Sequence, residues 1–285
     1  MTITVLREHD YRGSAPGAVV ADGQSAHTHI ALLQVASHLP PLQGYVKFYP
    51  NLLPNGAPHR GLVNEIVGHL MSTRLGVKVP DRAGLIVLPA RHLASLPKWI
   101  AHNDADQPLV GWWSQDMSFP SLKGYFRLDG DTRAWTPKEW ALLESARQEL
   151  VNSDQVHAII ALDDLLANVD RNIGNLLRKV QGQYLLIDNG KCLTGEEWHP
   201  TQLVPGQSYD NKVAIFTQPD SAQLPFRHAT LKAHDEMVQH LNPALHELMP
   251  WLNMAVKPPE ASAIETFIRQ RAAPGRFAQE MGLVI

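Results

Sequence analysis

Two short stretches of the sequence decide the fold and the chemistry: NVDRNIGNLL at residues 168–177 and LIDNG at residues 186–190. The first stretch places Asp170 five residues before Asn175, and the second passes from an apolar run into Asp188. Side chains at the ends of strands and helices are held by a rigid frame, where binding and catalytic groups are often found. Carboxylate and amide oxygens suit Mg²⁺, which keeps several waters and needs few protein ligands. The stretches therefore predict a metal-dependent site containing Asp170, Asn175 and Asp188.

The sequence around these stretches predicts helices before them and a hairpin between them. Residues 136–139 read as a helix start, with a threonine cap, a proline at the first helical position and a glutamate three residues after the cap. We expect this helix to end near residue 151 and a second helix, with one apolar stripe, to cover about 156–168. The runs at 176–178 and 184–187 predict the two strands of a hairpin.

The first ninety residues predict a sheet with one helix inserted in it. Short β-branched or aromatic runs indicate strands at residues 30–35, 44–48 and 84–88. Between the last two strands, residues 62–71 repeat apolar side chains with the 3.6-residue period of a helix. Lys47 lies in the second of these strands, and Glu65 lies in the helix.

The order of these polar residues is typical of kinases. The spacing from Asp170 to Asn175 is that of the kinase catalytic loop, in which the aspartate takes the proton of the substrate hydroxyl and the asparagine binds a metal ion. In kinases a strand lysine reaches the ATP phosphates and is held by a glutamate of the next helix, and Lys47 and Glu65 stand in that order. Arg171 is expected either to orient the loop or to touch a phosphate.

Two further segments are predicted to contact the nucleotide. Residues 11–17 form a short, glycine-rich segment that precedes a strand. The backbone N–H groups of Gly13, Ser14 and Gly17 are therefore expected to approach phosphate oxygens. Leu88, at the end of the third predicted strand, is expected to line the cofactor site.

The motifs resemble those of the HipA-like kinases over roughly residues 10–195. The shared motifs are Val46-Lys47-Phe48, Asn64-Glu65 followed by Leu75-Gly76-Val77-Lys78-Val79-Pro80, the loop at 168–177 and the segment at 186–190. The resemblance implies a protein-kinase-like fold of two lobes, with active-site motifs similar to those of phosphatidylinositol kinases.

Carried over position by position, the resemblance implies that Lys47 contacts the ATP phosphates and Asp170 is the catalytic base. It implies that Asn175 and Asp188 bind Mg²⁺ and that Gly13–Gly17 is the phosphate loop. The implied reaction transfers the ATP γ-phosphoryl group to a hydroxyl. The resemblance favours the hydroxyl of a protein Ser or Thr as the acceptor. The sequence does not choose between a protein acceptor and a small molecule or lipid. A non-catalytic nucleotide-binding or interaction module, and a metal-dependent hydrolase, are alternatives of different classes.

The expected fold class is α+β, with a strand-rich N-lobe and a mainly helical C-lobe. We expect residues 1–90 to form the N-lobe and 91–285 the C-lobe. Within the C-lobe, residues 90–136 are expected to be hairpin and loop, and 191–227 a long loop rich in Pro, Gly, Gln and Ser. Apolar stripes predict helices in the last sixty residues.

The composition limits the classes of partner and the cellular location that we expect for this protein. The 25 basic and 28 acidic residues give a formal net charge of −3, which argues against nucleic acid as the main partner. A single cysteine, Cys192, and the lack of a signal-peptide pattern favour a cytoplasmic protein. The sequence contains no uninterrupted stretch of about 18 apolar residues, so it predicts no membrane span. An antitoxin partner is not supported by the sequence.

Overall fold

The computed structural model describes residues 3–15, 25–93, 95–100 and 104–283. The chain forms two compact units. The strand unit comprises Met1–Leu62 and Pro80–Ser118, and the helical unit comprises Val63–Val79 and Phe119–Ile285. This grouping differs from the linear division at residue 90, because each unit contains two separate stretches of chain.

The strand unit is built on a six-stranded sheet. Its strands are β1 (Thr4–Arg7), β2 (Tyr11–Ser14), β3 (His27–Leu33), β4 (Leu42–Phe48), β5 (Ala83–Pro89) and β6 (Pro108–Gln115). Their order is β1-β5-β6-β4-β3-β2, with β1 parallel to β5 and the other neighbours antiparallel. The strands predicted at 30–35, 44–48 and 84–88 are confirmed as β3, β4 and β5, although β3 begins and ends earlier than predicted.

Strand β6 lies in the middle of the sheet and was not predicted. It pairs Trp112 with Lys47 of β4 on one side and with Leu85 of β5 on the other. Trp112 and Trp113 are only 3% and 0% exposed. The expectation of hairpin and loop over 90–136 is confirmed in part, because β6 pairs antiparallel with β5, but the position of this strand was not predicted. Its central residues are buried on both faces, so the sequence shows a continuous apolar run instead of a clear alternation.

The core of the strand unit lies on one face of the sheet. In β4, Val46 and Phe48 are buried in this core, whereas Lys47 between them points to the opposite face. Burying a side chain such as Phe48 contributes about 1.5–3 kcal/mol. The other buried members of the core are Leu6, Tyr11, Ala31, Leu33, Ile86, Leu88, Leu93 and Trp113.

Nine α-helices are found in the described residues, and all except the start of the first belong to the helical unit. They are α1 (Gly61–Arg74), α2 (Leu122–Tyr125), α3 (Pro137–Val151), α4 (Val156–Leu165), α5 (Lys212–Phe216), α6 (Leu224–Val238), α7 (Leu241–Ala255), α8 (Pro258–Arg271) and α9 (Arg276–Glu280). The helix start predicted before α3 is confirmed, because the Thr136 N–H donates to Glu139 Oε2 at 2.7 Å. The helix predicted over 62–71 is confirmed as α1, and the one predicted from 156 is confirmed as α4.

The predicted hairpin is also confirmed, as β7 (Leu176–Val180) and β8 (Gln183–Leu186). The prediction of one long loop over 191–227 is wrong in part, since this stretch contains α5 and the first turn of α6. Short helices of this kind carry too few turns to show a clear period in the sequence. The helices expected in the last sixty residues are confirmed as α7 and α8.

The fold class is therefore α+β, as predicted, with a strand-rich N-terminal region and a helical C-terminal region. Across the described ranges, no helix is both long and apolar enough to cross a membrane.

Candidate active site

The predicted catalytic loop begins directly after α4, where the backbone turns sharply. Ala167 has φ of 45°, and Leu193 and Thr194, farther along the chain, have φ of 56° and 77°. The Leu193 N–H donates to the Leu166 carbonyl at 2.8 Å, and the Thr194 N–H donates to the Ala167 carbonyl at 3.0 Å. Positive φ is uncommon outside glycine and is often found at functional sites. The loop after α4 and the segment that follows Asp188 therefore lie side by side.

Side-chain amides hold Asp170 at the centre of its loop. Asn168 Oδ1 accepts a hydrogen bond from the Asp170 N–H at 3.1 Å. Asn172 and Asn175 donate from Nδ2 to the Asp170 carbonyl at 3.1 and 3.0 Å. The Asp170 side chain is 28% exposed, so its carboxylate remains open to solvent while its backbone is fixed on both sides. The asparagines explain how residues 168–172, which lie in neither a helix nor a strand, are held in one conformation.

Asn175 and Asp188 lie at the same end of the β7–β8 hairpin. Leu176 pairs with Leu186, and the Ile187 N–H donates to the Asn175 carbonyl at 3.1 Å. Asp188 therefore follows the residue that faces Asn175, and its φ of 59° turns the chain out of the strand direction. The two predicted metal ligands come from separate stretches of sequence and are brought together by strand register.

The chemistry of this pair fits a hard divalent cation. Nδ2 of Asn175 is engaged by the Asp170 carbonyl, which leaves the amide Oδ1 as the acceptor atom of this side chain. Together with the Asp188 carboxylate it offers two oxygen ligands, and Mg²⁺ in nucleotide sites takes its remaining ligands from waters and phosphates. In the part of the chain that the structure describes, no cluster of three or more His, Cys, Asp or Glu side chains could hold a metal ion.

Arg171 is buried beneath the loop and joins three of its parts. Its side chain is only 1% exposed. The guanidinium donates to Asp163 Oδ1 at 3.3 Å, to the Ile187 carbonyl and to Asn189 Oδ1 at 2.6 Å. Of the two roles expected from the sequence, this placement favours orientation of the loop. Because Ile187 and Asn189 flank Asp188, the arginine links the Asp170 loop to the backbone on both sides of the second predicted metal ligand.

Asp163, on α4, is the buried acidic partner of Arg171. Its side chain is 1% exposed, and its Oδ2 atom has no hydrogen-bond partner. Burial raises the pKa of the Asp163 carboxyl to about 6, against the opposing effect of the Arg171 charge and hydrogen bond. The cost of removing this carboxylate from water is therefore only partly offset by the arginine.

Helix α1 supports the other side of the Asp188 segment through two adjacent buried residues. Glu65 Oε2 accepts a hydrogen bond from the Asn189 N–H at 3.0 Å. Asn64 donates from Nδ2 to the carbonyls of Gly190 and Gly195, at 2.8 and 2.7 Å. Both side chains are at most 1% exposed. The Asn64-Glu65 motif thus satisfies the backbone groups that follow Asp188, which would otherwise be buried without partners.

A glycine allows α1 to approach this segment closely. A Cβ atom at Gly68 would lie 2.2 Å from Asn189 Cβ and 2.4 Å from Asn189 Cγ, far inside van der Waals contact. Gly68 lies one helical turn after Asn64 and Glu65, on the same face of α1. The glycine is needed for close approach, which accounts for its presence inside a helix despite its low helix propensity.

Two lysines surround the Asp170 carboxylate. Lys212, the first residue of α5, donates from Nζ to Asp170 Oδ1. Lys191 Nζ lies 3.3 Å from Asp170 Oδ2. Both lysine side chains are partly exposed, at 44% and 40%. Each oxygen of the predicted catalytic base is therefore paired with an ammonium group that sequence reasoning did not identify.

The remaining predicted site residues belong to the strand unit, except Glu65. Gly13 and Ser14 lie in β2, where Gly13 has φ of 111° and the Ser14 hydroxyl lies 3.1 Å from the Tyr11 hydroxyl. Gly17 lies outside the described residues. Lys47 is partly buried on β4, on the face away from the core. Leu88 is 0% exposed within that core, so its contact with a cofactor remains only a prediction.

Comparison with solved structures agrees with this architecture. The chain aligns with the crystal structure of CtkA, a proinflammatory kinase of Helicobacter pylori, with a TM-score of 0.53 over 99% of this chain and 98% of that chain. The fold is kinase-like. The two sequences are 12% identical, so the similarity concerns the fold alone. No protein-family model matches the sequence, and no curated protein matches it.

The predicted site residues of the helical unit lie close together, whereas several residues that hold them in place were missed. Asp163 lies on the apolar stripe of α4, three residues after Ile160, and an aspartate at such a position is the signal that could have found it. Lys191 directly follows the Asp188-Asn189-Gly190 segment and could have been noted from that position. Lys212 has no comparable signal, because only the tertiary structure brings it to Asp170 across 42 residues of sequence.

Proposed function

We propose that the protein is an ATP-dependent phosphotransferase that uses Mg²⁺ to transfer the γ-phosphoryl group of ATP to a hydroxyl, with Ser/Thr of a protein as the acceptor. One observation carries this proposal. Strand register places Asn175 and Asp188 at one end of a hairpin, and the same asparagine fixes the loop of Asp170. A metal-ligand pair joined to a partly exposed carboxylate is what transfer from a metal-bound nucleotide to a hydroxyl requires.

Each residue has a distinct role in this proposal. Asn175 and Asp188 hold Mg²⁺ through oxygen atoms, and Lys47 contacts the nucleotide phosphates. When bound, Mg²⁺ neutralises phosphate charge and orients the group to be transferred. Asp170 accepts the proton of the acceptor hydroxyl and aligns its oxygen. Arg171 acts through these groups, because its hydrogen bonds fix the backbone around Asp188.

Positioning and electrostatics supply most of the rate in such a reaction. The phosphoryl group passes through a loose transition state whose charge is spread over its oxygens, so the protein forms no covalent bond to it. The rigid backbone of the Asp170 loop is consistent with this demand, since a well-oriented reacting pair has a much lower entropic barrier.

Nucleotide binding gives the first test. ATP with Mg²⁺ at a hundredfold excess over Kd should stabilise the native protein by about 2.7 kcal/mol, seen as a higher melting temperature. The Asp188→Asn variant should lose most of this shift, because an amide attracts a hard cation less than a carboxylate does. Asp129→Asn removes a carboxylate whose side chain is 79% exposed, and is the matched control. No shift of the wild type with any nucleotide at millimolar concentration would disprove the proposal.

Labelled ATP tests transfer and identifies the acceptor class. The wild type and Asp170→Ala are incubated with γ-labelled ATP, Mg²⁺ and cell extract, and the label is followed separately in protein, lipid and small-molecule fractions. Label in a protein band that depends on Asp170 and is stable as a phosphoserine or phosphothreonine ester supports the Ser/Thr proposal. Label in the lipid or small-molecule fraction would show that the acceptor is a lipid or a small molecule and not a protein. Nucleotide binding without label in any fraction would indicate a non-catalytic binding module.

A further inference from the structure

The two lysines at Asp170 carry more positive charge than the Asp170 carboxylate neutralises. Lys212 donates to one carboxylate oxygen, and Lys191 lies 3.3 Å from the other. Two ammonium groups against one carboxylate leave one positive charge in excess. The three side chains are 28–44% exposed, so an incoming anion can reach them.

Lys212 lies in a part of the chain whose backbone is held by hydrogen bonds and burial. Asn211, immediately before it, donates to the Ile160 carbonyl of α4 at 2.9 Å and caps α5 by accepting from the Ala214 N–H at 3.0 Å. Val213, immediately after it, is 1% exposed. The lysine therefore stands between two residues that fix α5 against the helical unit. The backbone from which the Lys212 side chain extends to Asp170 is thus held in place.

The catalytic loop offers no other cation at this position. Arg171 is 1% exposed, and each of its three guanidinium nitrogens donates to a group other than Asp170. Positive charge next to the Asp170 carboxylate therefore comes from Lys191 and Lys212. Of the two, Lys212 donates a hydrogen bond to Asp170 and begins a helix whose capping residue is bonded to α4.

We infer that Lys212 is a further catalytic residue, whose ammonium contacts the phosphoryl group as it passes to the acceptor. This inference rests on the proposed function. Asp170 must meet the acceptor hydroxyl, so a group hydrogen-bonded to Asp170 stands beside the oxygen that receives the phosphoryl group. An ammonium is a good point-charge partner for phosphate oxygens, on which negative charge accumulates during transfer.

The step is balanced without any further reactant. The bond from the γ-phosphorus to the bridging oxygen of ADP breaks, and a bond from the phosphorus to the acceptor oxygen forms. The acceptor proton passes to the Asp170 carboxylate. Lys212 remains an ammonium throughout and moves one of its hydrogen bonds from Asp170 to a phosphoryl oxygen.

Equilibrium binding separates this role from a structural one. Dissociation constants for β,γ-imido-ATP and ADP, each with Mg²⁺, are measured for the wild type, Lys212→Met, Lys212→Arg and Lys232→Met. Lys212→Met should weaken imido-ATP by about tenfold or more, the usual weight of one charged hydrogen bond, and change ADP less than twofold. Lys212→Arg should recover most of this loss. Lys232→Met removes a side chain that is 80% exposed and should alter neither constant.

The same measurements in the Asp170→Asn background test the alternative that Lys212 only neutralises Asp170. Under the inference, Lys212→Met still weakens imido-ATP relative to ADP when Asp170 carries no charge. An effect that disappears in this background, equal weakening of both nucleotides, or faster phosphoryl transfer by Lys212→Met would each overturn the inference. Thermal unfolding of the unliganded variants is measured first, and Lys212→Gln replaces the methionine variant if that variant does not fold.

The outcome also separates this inference from the proposed function. A wild type that binds both nucleotides, with a Lys212→Met variant that binds them equally well, leaves the phosphotransferase proposal standing and overturns the role of Lys212. A wild type that binds neither nucleotide overturns both.

Discussion

The guanidinium of Arg171 donates a hydrogen bond to Asn189 Oδ1 at 2.6 Å, deep inside the helical unit. The same guanidinium bonds the carbonyl of Ile187, so a single side chain holds both neighbours of Asp188. Arg171 itself directly follows Asp170 in the sequence. One buried cation thus fixes the distance between the proposed catalytic base and one proposed metal ligand.

Replacing Arg171 with methionine should destabilise the protein by about 3 kcal/mol or more. The variant leaves the buried Asp163 carboxylate without its cation, and breaking a buried ion pair from one side usually costs about 3–5 kcal/mol. Urea unfolding measures the change. Arg133→Met, at a side chain that is 88% exposed, should change stability by less than about 0.5 kcal/mol.

A double variant tests the cause of that loss. Asp163→Leu added to Arg171→Met removes the unpaired carboxylate and should recover part of the stability, since apolar pairs can replace buried ion pairs. Equal stability of the single and double variants would show that the loss comes from the Ile187 and Asn189 contacts instead.

Gly68→Ala should weaken binding of nucleotide with Mg²⁺. The new Cβ would lie 2.2 Å from Asn189 Cβ, so α1 or the residue next to Asp188 must shift. Overpacking of this kind costs about 1–3 kcal/mol, and replacing a helical glycine with alanine gains roughly 1 kcal/mol, so the net change should be a loss of up to about 2 kcal/mol. Thermal unfolding and the dissociation constant of ATP with Mg²⁺ measure the two effects.

Gly206→Ala is the matched control for this substitution, because nothing lies within 4 Å of its added Cβ. Its unfolding temperature and nucleotide affinity should match those of the wild type. A Gly68→Ala variant that also matches the wild type would show that the close approach of α1 is not needed for the site.

The ionisation of Asp163 should change how the free energy of unfolding depends on pH. Its pKa is raised from 3.8 to about 6 in the folded state, so between these values the native protein binds more protons at this group than the unfolded chain does. Stability contributed by this group is therefore present below about pH 4 and is lost as the pH rises through about 6. Wild type should lose stability relative to Asp163→Asn over this range.

Urea unfolding of both proteins at several pH values between 4.5 and 7 gives the comparison. The difference between the two curves isolates the one group, because the other ionisable residues are shared. Parallel curves, or a wild type that gains on the variant as the pH rises, would contradict the raised pKa of Asp163.

Asp170→Asn and Asp188→Asn should differ in what they impair. Loss of the Asp170 carboxylate removes the proton acceptor, so phosphoryl transfer should fall by a factor of about 10²–10⁴ while nucleotide affinity changes little. Loss of the Asp188 carboxylate should weaken nucleotide binding with Mg²⁺ as well as transfer. Nucleotide dissociation constants and transfer rates for both variants separate the roles. Full activity of the first variant, or normal binding and turnover of the second, would show that the assignment is wrong.

Local sequence patterns determined much of the secondary structure. The cap and proline before α3, the helical period of α1 and the two runs of the β7–β8 hairpin predicted these elements because their physical causes act within a few residues. The spacing of Asp170, Asn175 and Asp188 also indicated one site, since a short hairpin joins them. Strand β6 and helix α5 escaped prediction, the first because burial on both faces removes alternation and the second because five residues show no period.

Tertiary structure alone decided which residues support the site. The sequence contains Arg171, Asp163 and Lys212 but does not show that the first two form a buried pair or that the third meets Asp170. These contacts join residues 8 and 42 positions apart, through the packing of α4 and α5. Local propensity acts along the chain, whereas ion pairing and close approach depend on distances in space that only the packed fold determines.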